Sequence, residues 1–492
     1  MKTKKEKNIK KPIFIVLISI VVFILIIFML LPTFFSSKSG TKFLIDKIEK
    51  KKNAKIEIDS FHLTWFGPQK IKNLSYKDPT LDMRVDSIIS NMSLLSFYKS
   101  IKSSQKLNLF ANTEVDNLNV DIHLPSQPIS SFQNVSALIK ADVKGINSIQ
   151  IEGKTKVAQN VGAFKALVDI DGKKINSTIN ATNIPTIGID QLLFYQNPKH
   201  KNILSQLLGP SLNLQIDSTL DNLKGPIDID IKSKTSNANL NLFYEKGTIT
   251  LTKSATIVLA LAPINPNFSK NITYLASEPN YPIIIRISKD GFSYPVSPFK
   301  IQNLKIGHMS LDLNKMLVSN TGVIRTITSF AKASSSNVVS MWFTNVNIQI
   351  ENGILYSDRM DFLIDDYVHL CSWGKLDLLK QQYKMNFGLT ADTLANVFGI
   401  ANLPDNYVIK IPIKGTFENP KIDASKATAK IVALSTLQKS SGIGSIIGSV
   451  ITKFQKDDDI PPAKKPFPWE GKVRLQQSPR QIDVDNILDF FK

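Results

Sequence analysis

From Ile56 onward, apolar side chains return at every second position. Ile56 and Ile58 alternate with Glu57 and Asp59, and Leu118, Val120, Ile122 and Leu124 alternate with Asn119, Asp121 and His123. The same beat recurs at Leu212, Leu214 and Ile216, at Ile227, Ile229 and Ile231, at Val346, Ile348 and Ile350, at Met385, Phe387 and Leu389, and at Ile409, Ile411 and Ile413. Period two puts the apolar side chains of a strand on one face and the polar ones on the other. Between such runs stand Asp171-Gly172, Asp290-Gly291, Asn352-Gly353 and Glu245-Lys246-Gly247. These sequences tolerate the positive φ that tight hairpins need. The pattern predicts a mainly β protein with a few helices, its sheet largely antiparallel and built from hairpins and meanders. Taken alone, the pattern favours a sheet half-buried against a second layer, as in a sandwich.

Helical spacing is rarer. It predicts helices over 39–52, 131–140, 192–208, 314–333 and 390–401, and an amphipathic one over 424–453 with Ile431, Leu434 and Leu437 on one face. Ser441-Gly442 is expected to break the last of these. The apolar patch 443–451 follows, with Gly444 and Gly448 at the spacing of a small-residue contact. The Pro-rich PPAKKPFPW reads as a linker or extended segment. Residues 473–475 are expected to add a strand and 487–491 a short apolar tail.

One stretch departs from both periods. Residues 13–31 carry no charge and one polar side chain, Ser19. That is long enough to cross a bilayer core as a helix, which needs roughly 20 apolar residues. Lys2, Lys4, Lys5, Lys7, Lys10 and Lys11 precede it against a single Glu6, which keeps the N-terminus cytoplasmic. A cleaved leader would have Ser37 and Ser39 as its small residues, but the apolar run exceeds the roughly 7–15 residues usual there. An uncleaved anchor is therefore expected, ended by Pro32, which cannot continue the hydrogen-bond ladder. Lys50, Lys51 and Lys52 close the following helix. They suit a membrane surface and equally a solvated helix end, where the dipole favours cations.

The resulting partition is a basic cytoplasmic tail (1–12), an anchor (13–31), an N-terminal β part (32–160), a central β-rich region (161–341), a C-terminal β region (342–423), a helical segment (424–455) and a Pro-rich linker and tail (456–492). The formal net charge is +19, to which the N-terminal tail contributes only part. Basic chains favour nucleic acid or anionic surfaces. With the bulk outside the cytoplasm, anionic lipid is the expected partner and nucleic acid is not. Cys371 is the single cysteine, so no intrachain disulfide forms. Exported small-module proteins usually pair their cysteines, and this chain instead suits a bacterial envelope protein held together by sheet.

Reaction chemistry is sparse. His62, His123, His200, His308 and His369 are far apart and lack metal-ligand partners at helical or loop spacing. Cys371 reads as a packed thiol. No G-x-S-x-G elbow is present, and Gly442, Gly444 and Gly448 lack the preceding strand and the Lys-Ser/Thr of a phosphate loop. Asp365-Asp366 and residues 457–459 lack the spaced oxygens of a calcium loop. No enzyme activity, metal or cofactor is expected.

Two stretches carry a resemblance. One is the apolar anchor, a short helix and IEIDSFHLTWFGPQKIKNLSYKDP, residues 56–79. The other spans 342–423, with Asn352-Gly353, Arg359-Met360-Asp361, Gly374-x-Leu376-Asp377-Leu378, Ile411-Pro412-Ile413, Gly415-Thr416 and Asn419-Pro420 in that order. Together they resemble the two ends of AsmA-like proteins. The resemblance implies a single-pass bacterial inner-membrane protein projecting into the periplasm. It also implies a long curved antiparallel β-sheet whose apolar groove carries phospholipid between inner and outer membrane. An outer-membrane or periplasmic partner protein would complete the bridge. On that implication Val346, Ile348, Ile350, Leu376, Leu378, Met385, Phe387, Leu389, Ile409, Ile411 and Ile413 are the candidate lining. The alternative is an envelope scaffold or assembly factor for outer-membrane proteins that carries no lipid.

Overall fold

The computed structural model describes residues 30–96, 110–142, 145–196, 203–263, 274–296, 300–321, 324–325, 336–417, 419–423, 425–440 and 460–472. The expected membrane span lies outside these residues except for Leu30 and Leu31. So do the patch 443–451, the strand 473–475 and the tail 487–491. Among the described residues no helix is long and apolar enough to cross a membrane. The chain forms two compact units, 1–201 and 202–492, and every strand pairing in both is antiparallel.

The first unit opens with helical residues 30–36. Pro32 does not end this helix, contrary to expectation. The break falls at Ser37, whose extended backbone caps helix α1 (Lys38–Lys52) and whose side chain accepts from the Gly40 N–H. Asn53, in the left-handed conformation, closes α1. Eight strands then run as a meander: β1 (Lys55–His62), β2 (Gln69–Lys77), β3 (Leu81–Ser90), β4 (Thr113–Ile122), β5 (Ser130–Asp142), β6 (Gly145–Val157), β7 (Asn160–Asp171) and β8 (Lys174–Pro185). Each pairs with the next. Helix α2 (Thr186–Gln196) lies over the Ser130–Val157 end. There the buried Gln191 amide donates to the Pro128 carbonyl at 2.9 Å.

The helix expected over 131–140 is strand β5 instead, and the reason lies in a seam across the sheet. Asn73, Asn117 and Asn134 adopt φ of 48°, 50° and 51° inside their strands. A positive φ in a strand shifts the side-chain alternation by one residue, and Asn is among the few residues that tolerate it. Apolar positions therefore change parity at the seam: Ile56 and Ile58 give way to Phe61, and Ile71 to Leu74 and Tyr76. Val115 likewise gives way to Leu118 and Val120. In β5, Phe132, Val135 and Ile139 thus fall at helical spacing although the backbone is extended.

The second unit begins with α3 (Ile203–Leu208), followed by β9 (Ser211–Asp221), β10 (Lys224–Ser233), β11 (Ser236–Glu245), β12 (Thr248–Leu251), β13 (Ala255–Leu259), β14 (Leu275–Ser277), β15 (Ile283–Ile287), β16 (Tyr294–Pro295), β17 (Ile306–Asp312), β18 (Lys315–Ser319), β19 (Val338–Phe343), β20 (Val346–Glu351), β21 (Ile354–Ile364), β22 (Val368–Asp377), β23 (Gln382–Thr390), helix α4 (Ala391–Phe398), β24 (Val408–Thr416), β25 (Pro420–Ile422) and helix α5 (Ser425–Ser440). Strand β11 pairs with β12 at one end and β13 at the other, and the sheet continues through β15, β17 and β20 to β21. A second branch, β14–β18–β19, joins the far end of β21 beyond its bulge at Ser357/Met360. From there β22, β23, β24 and β25 follow in order.

Three of the four expected hairpin turns form, at Asp171-Gly172, Lys246-Gly247 and Asn352-Gly353, whereas Asp290-Gly291 joins β15 to β16, which pair with other strands. Asn352 and Gly353 take φ of 54° and 73°, and Lys246 and Gly247 take 49° and 78°. The helix expected over 314–333 is not formed at its start, where Met316 and Val318 are alternate buried positions of β18. The helix expected over 192–208 is divided between α2 and α3, and that over 390–401 is α4. The helix α4 is capped by the Thr390 side chain and closed by left-handed Gly399.

Candidate functional site

In the first unit the cross-strand register lines up one apolar side chain from every strand. Phe61 pairs with Ile71, Ile71 with Ile88, Ile88 with Val115, Val115 with Ala137, Ala137 with Ile151, Ile151 with Ala166, and Ala166 with Ile179. Directly paired residues share a face, so these eight form one continuous row. A parallel row runs Ile58, Leu74, Val85, Leu118, Val135. Of the alternate positions, Glu57, Glu114, Glu152, Lys165 and Asp169 are exposed, while Ile89, Leu138, Gln150 and Leu167 are half-buried.

Every member of the eight-residue row is only half-buried. The clusters of fully buried apolar side chains among the described residues all belong to the second unit. An apolar sheet face is ordinarily covered by a second layer. Here the described residues cover it in part: the eight are half-buried, and Val85 and Val135 of the parallel row are buried. At roughly 4.8 Å per strand, seven steps make the row about 34 Å long.

The second unit repeats this design, and five members of its own row, Leu214, Ile231, Ile257, Ile285 and Leu311, are half-buried like those of the first. Leu214, Ile231, Ala238, Ile257, Ile285, Leu311 and Val346 form a paired row across β9, β10, β11, β13, β15, β17 and β20. Ten of the candidate residues share this face. Val346, Ile348 and Ile350 on β20 connect through Leu355 to Leu376. Gly374 on the Leu376 face of β22 pairs Met385, and Met385, Phe387 and Leu389 face Ile413, Ile411 and Ile409.

Much of that face is closed by the chain itself. Leu389, Ile409 and Ile411 are buried in one cluster with Leu394, Val397 and Phe398 of α4 and Ala427, Ile431 and Leu434 of α5. Val346, Ile348 and Ile350 are buried among Ile306, Met309, Leu311, Leu355, Met360 and Leu378, and Ile413 is also buried. These seven are packed core, not open lining. Leu376, Leu378, Met385 and Phe387 remain half-exposed. The expected helix at 424–453 supplies the cover in its described part, α5: of the three residues expected on one face, Ile431 and Leu434 are buried in this cluster and Leu437 is half-buried. Lys50, Lys51 and Lys52 form the last turn of α1.

Sequence spacing missed a buried polar cluster on the opposite face. The His369 Nδ1 lies 2.8 Å from Asp392 and its Nε2 3.0 Å from Asp361. Arg359 grips Asp361 through two hydrogen bonds, at 2.9 Å from Nε and 2.6 Å from Nη2, and donates from Nη1 to the Pro461 carbonyl. A residue with carboxylates on both ring nitrogens donates twice and is held as the cation. Burial opposes that charge on His369, but the hydrogen bonds from Asp361 and Asp392 outweigh it and raise its pKa above the usual histidine value. Burial likewise pushes Asp361 upward, and His369 and Arg359 together bring it below the ordinary carboxylate value.

The only sequence signal for this cluster was topological: Asp361 and His369 flank the Asp365-Asp366 turn and become diagonal neighbours across it. Phe467 and Trp469 stack on each other at 4.8 Å and both meet the His369 ring nearly at right angles, at 4.8 and 5.3 Å. The Pro-rich segment in its described part, 460–472, is a strap without helix or strand that ends in turns at 468–472 and packs on the sheet through Trp469, Trp342 and Leu363. Cys371 lies beneath it, fully buried, its thiol pushed up to about 12 by desolvation. Among the described residues no group of His, Cys, Asp and Glu is arranged to hold a metal.

Fold and face together define a class: a mainly β protein of antiparallel sheets with an apolar face, half-buried along the paired rows of both units and packed under α4 and α5 at Leu389, Ile409 and Ile411 of the second. Comparison with known proteins adds no assignment, since no family model matches the chain and neither a curated protein nor a solved structure is significantly similar to it.

Proposed function

We propose that the protein is a membrane-anchored carrier that shields phospholipid acyl chains on an apolar β-face and passes them between the inner and outer membranes. The observation that carries this reading is the half-buried row from Phe61 to Ile179. A phospholipid leaving a bilayer exposes two acyl chains, at about 0.8 kcal/mol per methylene and on the order of 20 kcal/mol in all. The part of an apolar row left open to solvent recovers some of that cost while the headgroup stays in water. One leaflet contributes about half of the ~30 Å hydrocarbon thickness, so a row of about 34 Å exceeds the length of one tail. Such transfer requires no nucleophile, metal or nucleotide in the chain. The apolar run 13–31 and the resemblance of residues 56–79 and 342–423 to AsmA-like proteins support the same reading, with the bulk in the periplasm.

In this reading the first unit offers the open face. In the second unit Leu376 and Met385 are half-buried positions of its own apolar face, Leu378 and Phe387 pack against buried clusters, and α4 and α5 seal the neighbouring strands. The test is mass spectrometry of the full chain purified from membranes and exchanged through lipid-free detergent. Retained diacyl phospholipid is the expected result. A chain that carries no lipid yet crosslinks to polypeptide clients would replace this function with that of an assembly factor.

A further inference from the structure

The loop joining β1 and β2 holds Phe66 at 80% exposure, the highest among the large apolar side chains of the described residues. This loop is not slack. Gln69 ties it internally, accepting from the Thr64 N–H at 2.9 Å and donating to the Thr64 and Gly67 carbonyls at 2.8 Å and to the Met92 carbonyl at 3.0 Å. The Gly67 N–H donates to the Thr64 hydroxyl at 2.7 Å. A single exposed ring needs no explanation by itself; what singles this one out is where the loop is fastened.

The Leu63 N–H donates to the Ser36 hydroxyl at 2.7 Å, and that hydroxyl donates to the Pro32 carbonyl at 2.7 Å. The loop is therefore fastened to the helical turn that continues from Leu31. From Leu31 to Ser36 is five residues of helix, about 7.5 Å of rise. The headgroup zone beyond the hydrocarbon core is roughly 5–7 Å deep on each side. Leu30 and Phe34, at 55% and 51% exposure, lie on the same helical turn. Lys38 and Lys42 are exposed at the start of α1, whose first turn has no acidic residue. That is the reverse of what the helix dipole favours and suits anionic headgroups.

We propose that the Thr64–Gln69 loop is a second membrane contact, with Phe66 seated at the lipid–water interface beside the anchor, where aromatic rings are favoured. The proposal rests on reading 13–31 as a membrane anchor. Its occupant is the bilayer, since the loop is bonded to the very turn on which the apolar segment ends. Such a contact fixes the first unit's orientation at the membrane, with β1 and β2, the start of the apolar row, nearest the lipid.

The test uses the full chain reconstituted into phosphatidylcholine–phosphatidylglycerol vesicles, with nitrobenzoxadiazole attached at Phe66→Cys or, as control, at Asp169→Cys on the exposed polar face of β7. Brominated lipid should quench the label at 66 several-fold more than that at 169, and aqueous iodide should do the reverse. Equal quenching at the two positions overturns the proposal, as does a label at 66 shielded from both quenchers, which would mean a protein contact. Vesicle flotation separates the two readings. A chain that does not float overturns the anchor and the loop together; one that floats with position 66 open to iodide overturns the loop alone.

Discussion

His369 is the residue at which charge, burial and packing meet. Its cation is neutralised on both sides by Asp361 and Asp392 and covered by Phe467 and Trp469. Removing one partner of a buried ion cluster leaves the others uncompensated, at a cost of about 3–5 kcal/mol. Asp361→Asn should therefore destabilise the second unit by that order in denaturant unfolding. The pH dependence follows from the directions of the shifts. His369 is raised from 6.5, so its contribution is complete below that value and fades as pH rises through the higher folded-state value. Asp361 and Asp392 are lowered from 3.8, so theirs is complete above that value and fades as pH falls through the folded-state values. Thermal unfolding of the second unit should thus be most robust between about pH 3.8 and 6.5 as far as this cluster is concerned. The alkaline loss should disappear in His369→Gln. Cys371, buried and with its thiol pushed up to about 12, should resist maleimide at pH 7 in the native chain and react once in denaturant. The histidine spacing along the chain concealed this cluster because its members meet across a hairpin, with Asp392 arriving from α4.

Among elements, the strands of the first unit show where sequence patterning works and where it misleads. Period two identified the strands on either side of the seam, and the Asn-Gly and Lys-Gly turns were legible because few other pairs accept two positive φ values. The seam itself was not legible. A one-residue change of parity in β5 imitates a helix, and only the neighbouring strands, each breaking at the same level, show that it is a shared kink. The bonds from Asn73 to Asp59 at 2.6 Å and from Asn117 to Asp86 at 2.7 Å fix it. A β-branched residue forced into this conformation costs roughly 1–2 kcal/mol. Asn117→Val should therefore destabilise the first unit by about that much more than Asn117→Gly, measured as the shift in its denaturant midpoint. Equal midpoints would mean that the seam is not strained. In the second unit the alternation of β20, β23 and β24 correctly placed their apolar residues on one face. What covers that face was less legible, since alternation looks the same beneath a helix as beneath a lipid.

At the scale of the molecule, two units share one design. In the second, α4 and α5 pack on one face of β22–β24 and the strap 460–472 packs on the other, giving a local core with Leu394, Ile409 and Ile431 almost wholly buried. In the first, the row from Phe61 to Ile179 is left half-buried, and the proposed lipid carriage belongs there. The most direct measurement is the phospholipid that copurifies with full-length variants carrying a carboxylate in the middle of the row. A buried carboxylate disfavours an adjacent acyl chain by well over 1.4 kcal/mol, which is about tenfold in affinity. Ala137→Asp, Ile151→Asp and Ala166→Asp should each lose most of the bound lipid, while Lys165→Asp on the polar face of β7 retains it. Bound lipid equal to that of the unaltered chain in all three row variants, with the sheet intact by circular dichroism, would contradict the account.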